Sequence, residues 1–419
     1  MAIDPEELKR RRAERAEKRQ KQQKSLKIKL IIAGIVLVLC TVLVIVLARP
    51  AGPSQEDTQP PQTQQSQQDT TAPADSGKTV IHLAAAGDLN VTEKVVASGG
   101  GSFDYTNTFL DVAHLLADAD ITTVNFEGTF TGEPYGTDRS APQYLADALV
   151  SAGVDMVQLA NSYSIYKGME GLKTTLSAVR LAGLEPVGAY ASSADAKAAK
   201  GYTVRYIQGI KIAFVSFTKG MDGMALPPGN EGCVNVLYKD YSTDYQEIDE
   251  EGITKILDAV NKEKPDLTVA LLHWGSEYNN TVSQSQQDVC TLLQSKGVDA
   301  IIGTHSHYVQ KMEFDPAAGT FVAYSLGDFL SDADKAGTEY SVILDLEITK
   351  DKESGETSIT GYSYTPIFTA VQEGKPLRTL RIKEAMAAFE GGYLDRVSQE
   401  IYDAMAYALE RIEARISGK

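Results

Sequence analysis

The sequence predicts an α/β fold with parallel and antiparallel strands, set behind an N-terminal membrane anchor. Three observations carry this. From residue 79 onward, short apolar runs alternate with segments whose apolar residues recur at helical spacing. Three later pairs of β-rich runs are close enough in sequence to form hairpins. The chain is 43% hydrophobic over 419 residues, enough for a large buried core, and this apolar content is thin only near the front.

Thr79–Ala86 reads as a strand that ends at Gly87-Asp88. Tyr105–Leu116 has helical spacing, and Thr122–Phe126 is a short strand before Glu127. Tyr144–Ala152 reads as helix, Met156–Ala160 as a strand ending at Asn161, and Gly171–Leu181 as helix. Val187 onward reads as extended. Tyr202–Ile207 and Lys211–Phe217 flank Gln208-Gly209 as a hairpin. Ile253–Val260 is helical and leads to a buried strand, Leu267–His273. Gln286–Gln294 is helical and leads to a second, which ends at Gly303-Thr304-His305-Ser306-His307. Lys311–Phe314 with Thr320–Tyr324, and Glu339–Ile348 with Thr357–Thr365, form two further antiparallel pairs. Residues 380–416 read as helix broken at Gly391-Gly392, with Ala385, Ala388, Phe389, Leu394, Val397, Ile401, Met405, Leu409 and Ile412 on one face. That face packs on the core or on a partner.

The front of the chain has a different character. Residues 1–29 carry eleven Lys or Arg against five acids. Residues 30–47 carry no charge, and eighteen such residues span roughly 27 Å as a helix, about one bilayer core. The basic flank predicts a cytoplasmic N-terminus, a single span over 30–48 in contact with membrane lipid, and an extracellular remainder. The apolar stretch is longer than a signal-peptide core and lacks an Ala-x-Ala site. Residues 49–78, rich in Pro, Gln, Ser and Thr, read as a linker too polar to fold. Net charge is −16 overall. Residues 1–49 hold twelve basic and five acidic residues, so 28 basic and 51 acidic remain, a net −23. That balance excludes generic binding of nucleic acid. Cys233 and Cys290, the cysteines outside the span, make no disulfide framework.

In open α/β sheets, functional groups collect beyond the C-terminal ends of strands. The residues at such ends here are Asp88, Glu127, Asn161, His273, His305 and His307. Singly, each also fits a bland role: a turn residue, an exposed carboxylate, a strand cap, a core imidazole. Together they supply three oxygen and three nitrogen donors, more than one tetrahedral ion needs. The set suits two adjacent divalent ions of the Mn, Fe or Zn kind.

In order along the chain, Ala86-Gly87-Asp88, Asn125-Phe126-Glu127-Gly128, Leu159-Ala160-Asn161, His273-Trp274-Gly275-Ser276-Glu277-Tyr278, Gly303-Thr304-His305-Ser306-His307 and Tyr324-Ser325-Leu326-Gly327-Asp328-Phe329 resemble the CapA-type poly-γ-glutamate capsule biosynthesis family. That family is related to the calcineurin-like metallophosphoesterases. The resemblance covers roughly residues 79–332. It implies a four-layer αββα sandwich over 79–370, followed by a helical extension over 371–419. It also implies a metal held from Asp88 and His307, another from Asn161, His273 and His305, and Glu127 between them.

The chain departs from the family pattern at two places. Tyr163 stands where the family carries a histidine, and Tyr166 where it carries an aspartate. A tyrosine, with an ordinary pKa near 10, is a poor proton shuttle at neutral pH. Asp328 stands where asparagine is commoner. Glu277 reads as a proton donor or a partner behind His273, and Arg139 as a receiver of substrate carboxylate or phosphate. The resemblance implies a surface protein acting on an anionic polymer, poly-γ-glutamate or similar, beside membrane-embedded capsule synthase components. A generic extracellular metal-dependent phosphoesterase and a catalytically degenerate scaffold are the two alternatives.

Overall fold

A computed structural model of the chain describes residues 77–372, 374–393 and 397–418. The basic segment, the apolar span at 30–48, nearly all of the linker and Leu394 lie outside these residues. No helix among the described residues is long and apolar enough to cross a membrane.

Fourteen strands form two sheets among the described residues. The first is built on β1 (Lys78–Asn90), which pairs in parallel with β2 (Ile121–Glu127). Beyond β2 lie β3 (Met156–Gln158) and β4 (Glu185–Val187), also parallel. The second sheet runs β5 (Tyr202–Ile207), β6 (Ile210–Thr218), β7 (Leu267–His273), β8 (Ala300–Thr304), β10 (Thr320–Ala323) and β9 (Met312–Asp315). A short strand, β11 (Asp328–Leu330), pairs in parallel with the end of β1. On its other edge β1 pairs antiparallel with β12 (Tyr340–Asp351), which continues to β13 (Thr357–Ala370) and β14 (Arg378–Arg381).

Strand periodicity explains the layering. Along β6, Ile210, Ile212 and Phe214 join Leu267, Val269 and Leu271 of β7 and Ile81, Leu83 and Ala85 of β1 in the core between the sheets. The alternate residues Ala213, Val215 and Phe217 face outward onto a separate cluster. That cluster holds Ile253, Leu257 and Val260 of one helix (α7, Glu250–Glu263) and Val289, Cys290 and Leu293 of another (α8, Gln284–Ser295). The outer face of the first sheet is covered by α4 (Gln143–Ala152) and α5 (Gly168–Ala182) through Leu145, Leu149, Leu172 and Leu176. Helices, two sheets and helices therefore stack in four layers.

Some elements depart from the expectation. The helical spacing over Tyr105–Leu116 becomes two short helices, α2 (Thr106–Phe109) and α3 (Ala113–Asp118). Val187 ends its strand, and the chain turns into a helix at Ser193–Ala199 (α6), whose N-cap Ser192 accepts from Asp195 N–H. An unpredicted helix, α1, occupies Glu93–Ala97. The C-terminal run begins as β14, then forms α9 (Ile382–Glu390) and α10 (Gln399–Ile416). Met405, Ala408 and Ile412 of α10 are fully buried against Val342, Leu344 and Phe368 of the antiparallel strands. Cys233 and Cys290 are both free and buried.

Candidate metal centre

Every chemistry-bearing strand end of the parallel regions points to one edge of the sandwich. Asp88 lies near the end of β1, opposite Asn125 of β2 and Asp328 of β11 in register. Glu127 ends β2 and His273 ends β7, opposite Thr304 of β8. The chain leaves β8 through His305 and His307, both with positive φ (89° and 58°), which turns both imidazoles into the same space. Gly303 has no room for a side chain: a Cβ there would collide with the Tyr324 carbonyl and the Trp274 indole nitrogen.

The donors gather into two triads. Ligand atoms of Glu127, His273 and His305 lie within 4.8 Å of one another, and so do those of Asp88, His307 and Asp328. All six residues are buried. Asn125 links the triads: its Nδ2 donates to Asp88 Oδ1 at 2.6 Å and to Glu127 Oε1 at 3.3 Å. The backbone N–H of His305 donates to Asp88 Oδ2 at 3.0 Å.

Hydrogen bonding settles which ring nitrogens face the centre. Thr218 Oγ1 spends its only proton on the Gly220 carbonyl at 2.7 Å. His273 Nδ1, 3.2 Å from that oxygen, is therefore the donor. Its Nε2 carries a lone pair aimed at Glu127 Oε1, 2.7 Å away. Two acceptors meet at that distance only with a proton or a cation between them. At the second triad, His307 Nδ1 lies 2.7 Å from Asp328 Oδ1 and 3.5 Å from Asp88 Oδ2. Tyr278 stacks on the His307 ring at 5.3 Å.

The electrostatics are those of buried carboxylates and imidazoles held close together. Burial, then the nearby Glu127 and Asp328 carboxylates, push the Asp88 carboxyl up to about 7, against the pull of His307 and His273. Burial pushes Glu127 up to about 7 as well. Burial drives His273 down to about 3 and His305 well below the ordinary histidine value. Burial would also lower His307, but Asp328, Glu127 and Asp88 override it and raise the imidazole well above that value.

The donors fit divalent cations. Glu127 Oε2 and His305 Nδ1 are buried with no hydrogen-bond partner in the protein. Both point to a ligand rather than to a closed network. Mixed imidazole and carboxylate donors suit Mn, Fe or Zn.

The remaining predicted residues form a shell. Asn161 donates to the Asn125 side chain at 3.0 Å and to the Phe126 carbonyl at 2.8 Å, while its Oδ1 accepts from Tyr163 N–H. Tyr163 sits at the rim, where its hydroxyl accepts from Arg139 Nη2 at 2.8 Å. Arg139 also donates to Asn90 Oδ1. Burial holds the Tyr163 hydroxyl protonated, far above its ordinary value. Glu277 is exposed and acts electrostatically on Glu127 and His273 from the rim. Asp328, which joins the second triad, was not among the strand-end donors read from the sequence. Sequence reasoning also missed Thr218 and Lys219, which the strand-end rule applied to β6 would have found. Lys219 donates to the Gly275 carbonyl at 2.8 Å, and burial lowers its pKa.

Fold and site define a class: a helix-covered double-sheet protein with metal-grade donors gathered on one edge. The chain belongs to the family described as bacterial capsule synthesis protein PGA_cap, whose model matches residues 82–333. It is 28% identical over 242 residues to the capsule biosynthesis protein CapA of Bacillus anthracis, covering 57% of this chain and 53% of that one. It is 31% identical over 195 residues to the PGA biosynthesis protein CapA of Bacillus subtilis (strain 168), covering 46% of each. The chain thus spans about half the length of the curated relatives it matches. Among solved structures it is similar to the calcineurin-like phosphoesterase YfkN from Bacillus subtilis, at 14% identity and a TM-score of 0.44, covering 79% of this chain and 99% of that one.

Proposed function

We propose that this chain is a membrane-anchored, extracytoplasmic component of capsule or poly-γ-glutamate synthesis and attachment that works through a dinuclear metal centre. The observation that carries the reading is the pair of buried donor triads, Glu127/His273/His305 and Asp88/His307/Asp328, with unpartnered ligand atoms inside. Glu127, His273 and His305 would hold one cation, and Asp88, His307 and Asp328 the other. Bound there, divalent cations supply Lewis-acid polarisation of a carbonyl or phosphoryl oxygen. The names of the two Bacillus relatives support a polyanionic substrate for such chemistry. The uncharged run at 30–47 with its basic flank supports the anchor.

The chain's own groups divide the remaining work. Arg139, presented on the Tyr163 hydroxyl, receives a substrate carboxylate at the rim. Lys219 adds a second cation near His273 and His305. The Tyr163 hydroxyl donates a hydrogen bond to bound substrate and holds its proton throughout. Attachment of polymer would then proceed by cleavage of a γ-amide and transfer to a surface amine.

Elemental analysis of the purified full chain tests the reading. Two ions per chain, reduced by His307→Ala, are expected. A chain that binds no divalent cation when titrated overturns it and leaves the scaffold reading, which the replacement of a proton-shuttling histidine by Tyr163 favours. Rapid turnover of a simple aryl phosphate, abolished by His307→Ala, would instead mark a general phosphoesterase.

A further inference from the structure

Beside the metal centre, a run of rings and cations leads away across the surface to the C-terminal helix. Tyr278 stacks on His307 with ring centroids 5.3 Å apart. Tyr308 meets Tyr278 edge-on at 6.0 Å. Lys335 Nζ sits over the Tyr278 ring at 3.4 Å. The Arg415 guanidinium lies 4.8 Å from the Tyr308 ring and 5.1 Å from the Tyr340 ring. One turn earlier on α10, Arg411 covers Tyr407 at 4.9 Å.

At the far end of this run is a cavity of about 290 Å³ lined by Asn280, Tyr407, Arg411, Ala414 and Arg415. No carboxylate lines it. In a chain of net charge −16, a recess with two guanidinium groups and no acid is a local reversal of sign. Both guanidinium groups rest on tyrosine rings. Arg415 Nη1 is buried with no hydrogen-bond partner, a donor left open beside the cavity.

We propose that the Arg411/Arg415 cavity is an anion subsite that grips carboxylates of an extended polyanion whose reacting segment lies at the metal centre. Tyr278, Tyr308 and Lys335 are the track between the two. This rests on the polymer reading above and deepens it: the protein engages a long stretch of polymer rather than a terminal unit. Guanidinium groups hold carboxylates by paired, charge-assisted hydrogen bonds, and Lys335, held over the Tyr278 ring, adds a positive charge between the two ends. Such a subsite makes affinity depend on chain length, because only a long strand reaches both ends.

The test uses the full chain and two labelled probes, a long poly-γ-glutamate and a γ-linked glutamate dimer. Arg411→Gln, at an exposed position, should weaken the long probe about tenfold and leave the dimer unchanged. It should also lower the salt dependence of long-probe binding and leave metal content untouched. Arg415→Gln should act the same way, and Arg415→Lys, which keeps the charge, should recover part of the loss. Equal binding of the long probe by wild type and both Gln variants overturns the subsite and leaves the proposed function standing. Failure of the wild type to bind either probe removes the proposed function, and this subsite with it.

Discussion

His273 Nε2 and Glu127 Oε1 face each other at 2.7 Å, with neither residue more than 1% exposed. Thr218 has already fixed the imidazole proton on Nδ1, so below about pH 7 the Glu127 carboxyl supplies the proton between them when no cation does.

Glu127→Gln keeps a donor toward His273 and removes the charge. A carboxyl raised from 4.5 to about 7 on folding binds its proton more tightly in the folded state. Its contribution is therefore complete at low pH and is lost as pH rises from about 4.5 to about 7. His273, driven down to about 3, works in the opposite direction, so the comparison is made between variant and wild type. Without metal, Glu127→Gln should be more stable than wild type above pH 7, by roughly 1–3 kcal/mol, with the gap closing toward pH 4. Denaturant titrations at several pH values measure this. Added Mn or Zn should raise the wild-type midpoint more than the variant's, which keeps only the Asp88/His307/Asp328 triad intact.

Asp328→Asn preserves an acceptor for His307 Nδ1 and removes one negative charge from the second triad. Affinity for one of the two cations should fall about 10–100-fold, while the other is little changed. Calorimetric metal titration separates the two events. In the metal-free protein, the His307 pKa should drop from its raised position, as read from imidazole NMR signals.

Thr218→Val removes the acceptor for His273 Nδ1–H without changing the shape of the site. The buried N–H and the Gly220 carbonyl then lose a partner, at about 1–3 kcal/mol. Metal affinity at the Glu127 triad should fall about tenfold, because the ring is no longer held in the ligating tautomer. A mutant with normal metal affinity would show that another group orients this imidazole.

Met405→Ala tests whether α10 belongs to the main core. Met405 is fully buried against the antiparallel strands, and truncation should cost about 2–5 kcal/mol. Unfolding followed by Trp274 fluorescence should shift with the whole molecule, since that tryptophan lies buried next to His273 of the donor cluster.

Much of the site was legible because local chemistry announces it. Buried parallel strands read as unbroken apolar runs, and Leu267–His273 and Ala300–Thr304 do so here. The polar residues that end such runs stand out, which made Asp88, Glu127, His273, His305 and His307 visible. Asp328 was harder. Its strand is three residues long and enters the sheet beside β1, far from it in sequence. Thr218 ends β6 and so meets the same strand-end rule, but a threonine is neither a charged nor an imidazole donor and does not stand out. The helix at Ser193–Ala199 was hidden by its brevity, although Ser192 and Asp195 carry its capping signal.

By itself, the sequence determined the alternation of strands and helices, the donor types and the strand ends that carry them, because burial and hydrogen-bonding demands are written residue by residue. Only the tertiary structure decided that the donors divide into two triads. That outcome depends on β11 lying against β1, on positive φ at His305 and His307, and on the two sheets meeting with their strand ends at one edge. The first and last of these relations join residues far apart in the chain, through packing that no local pattern encodes.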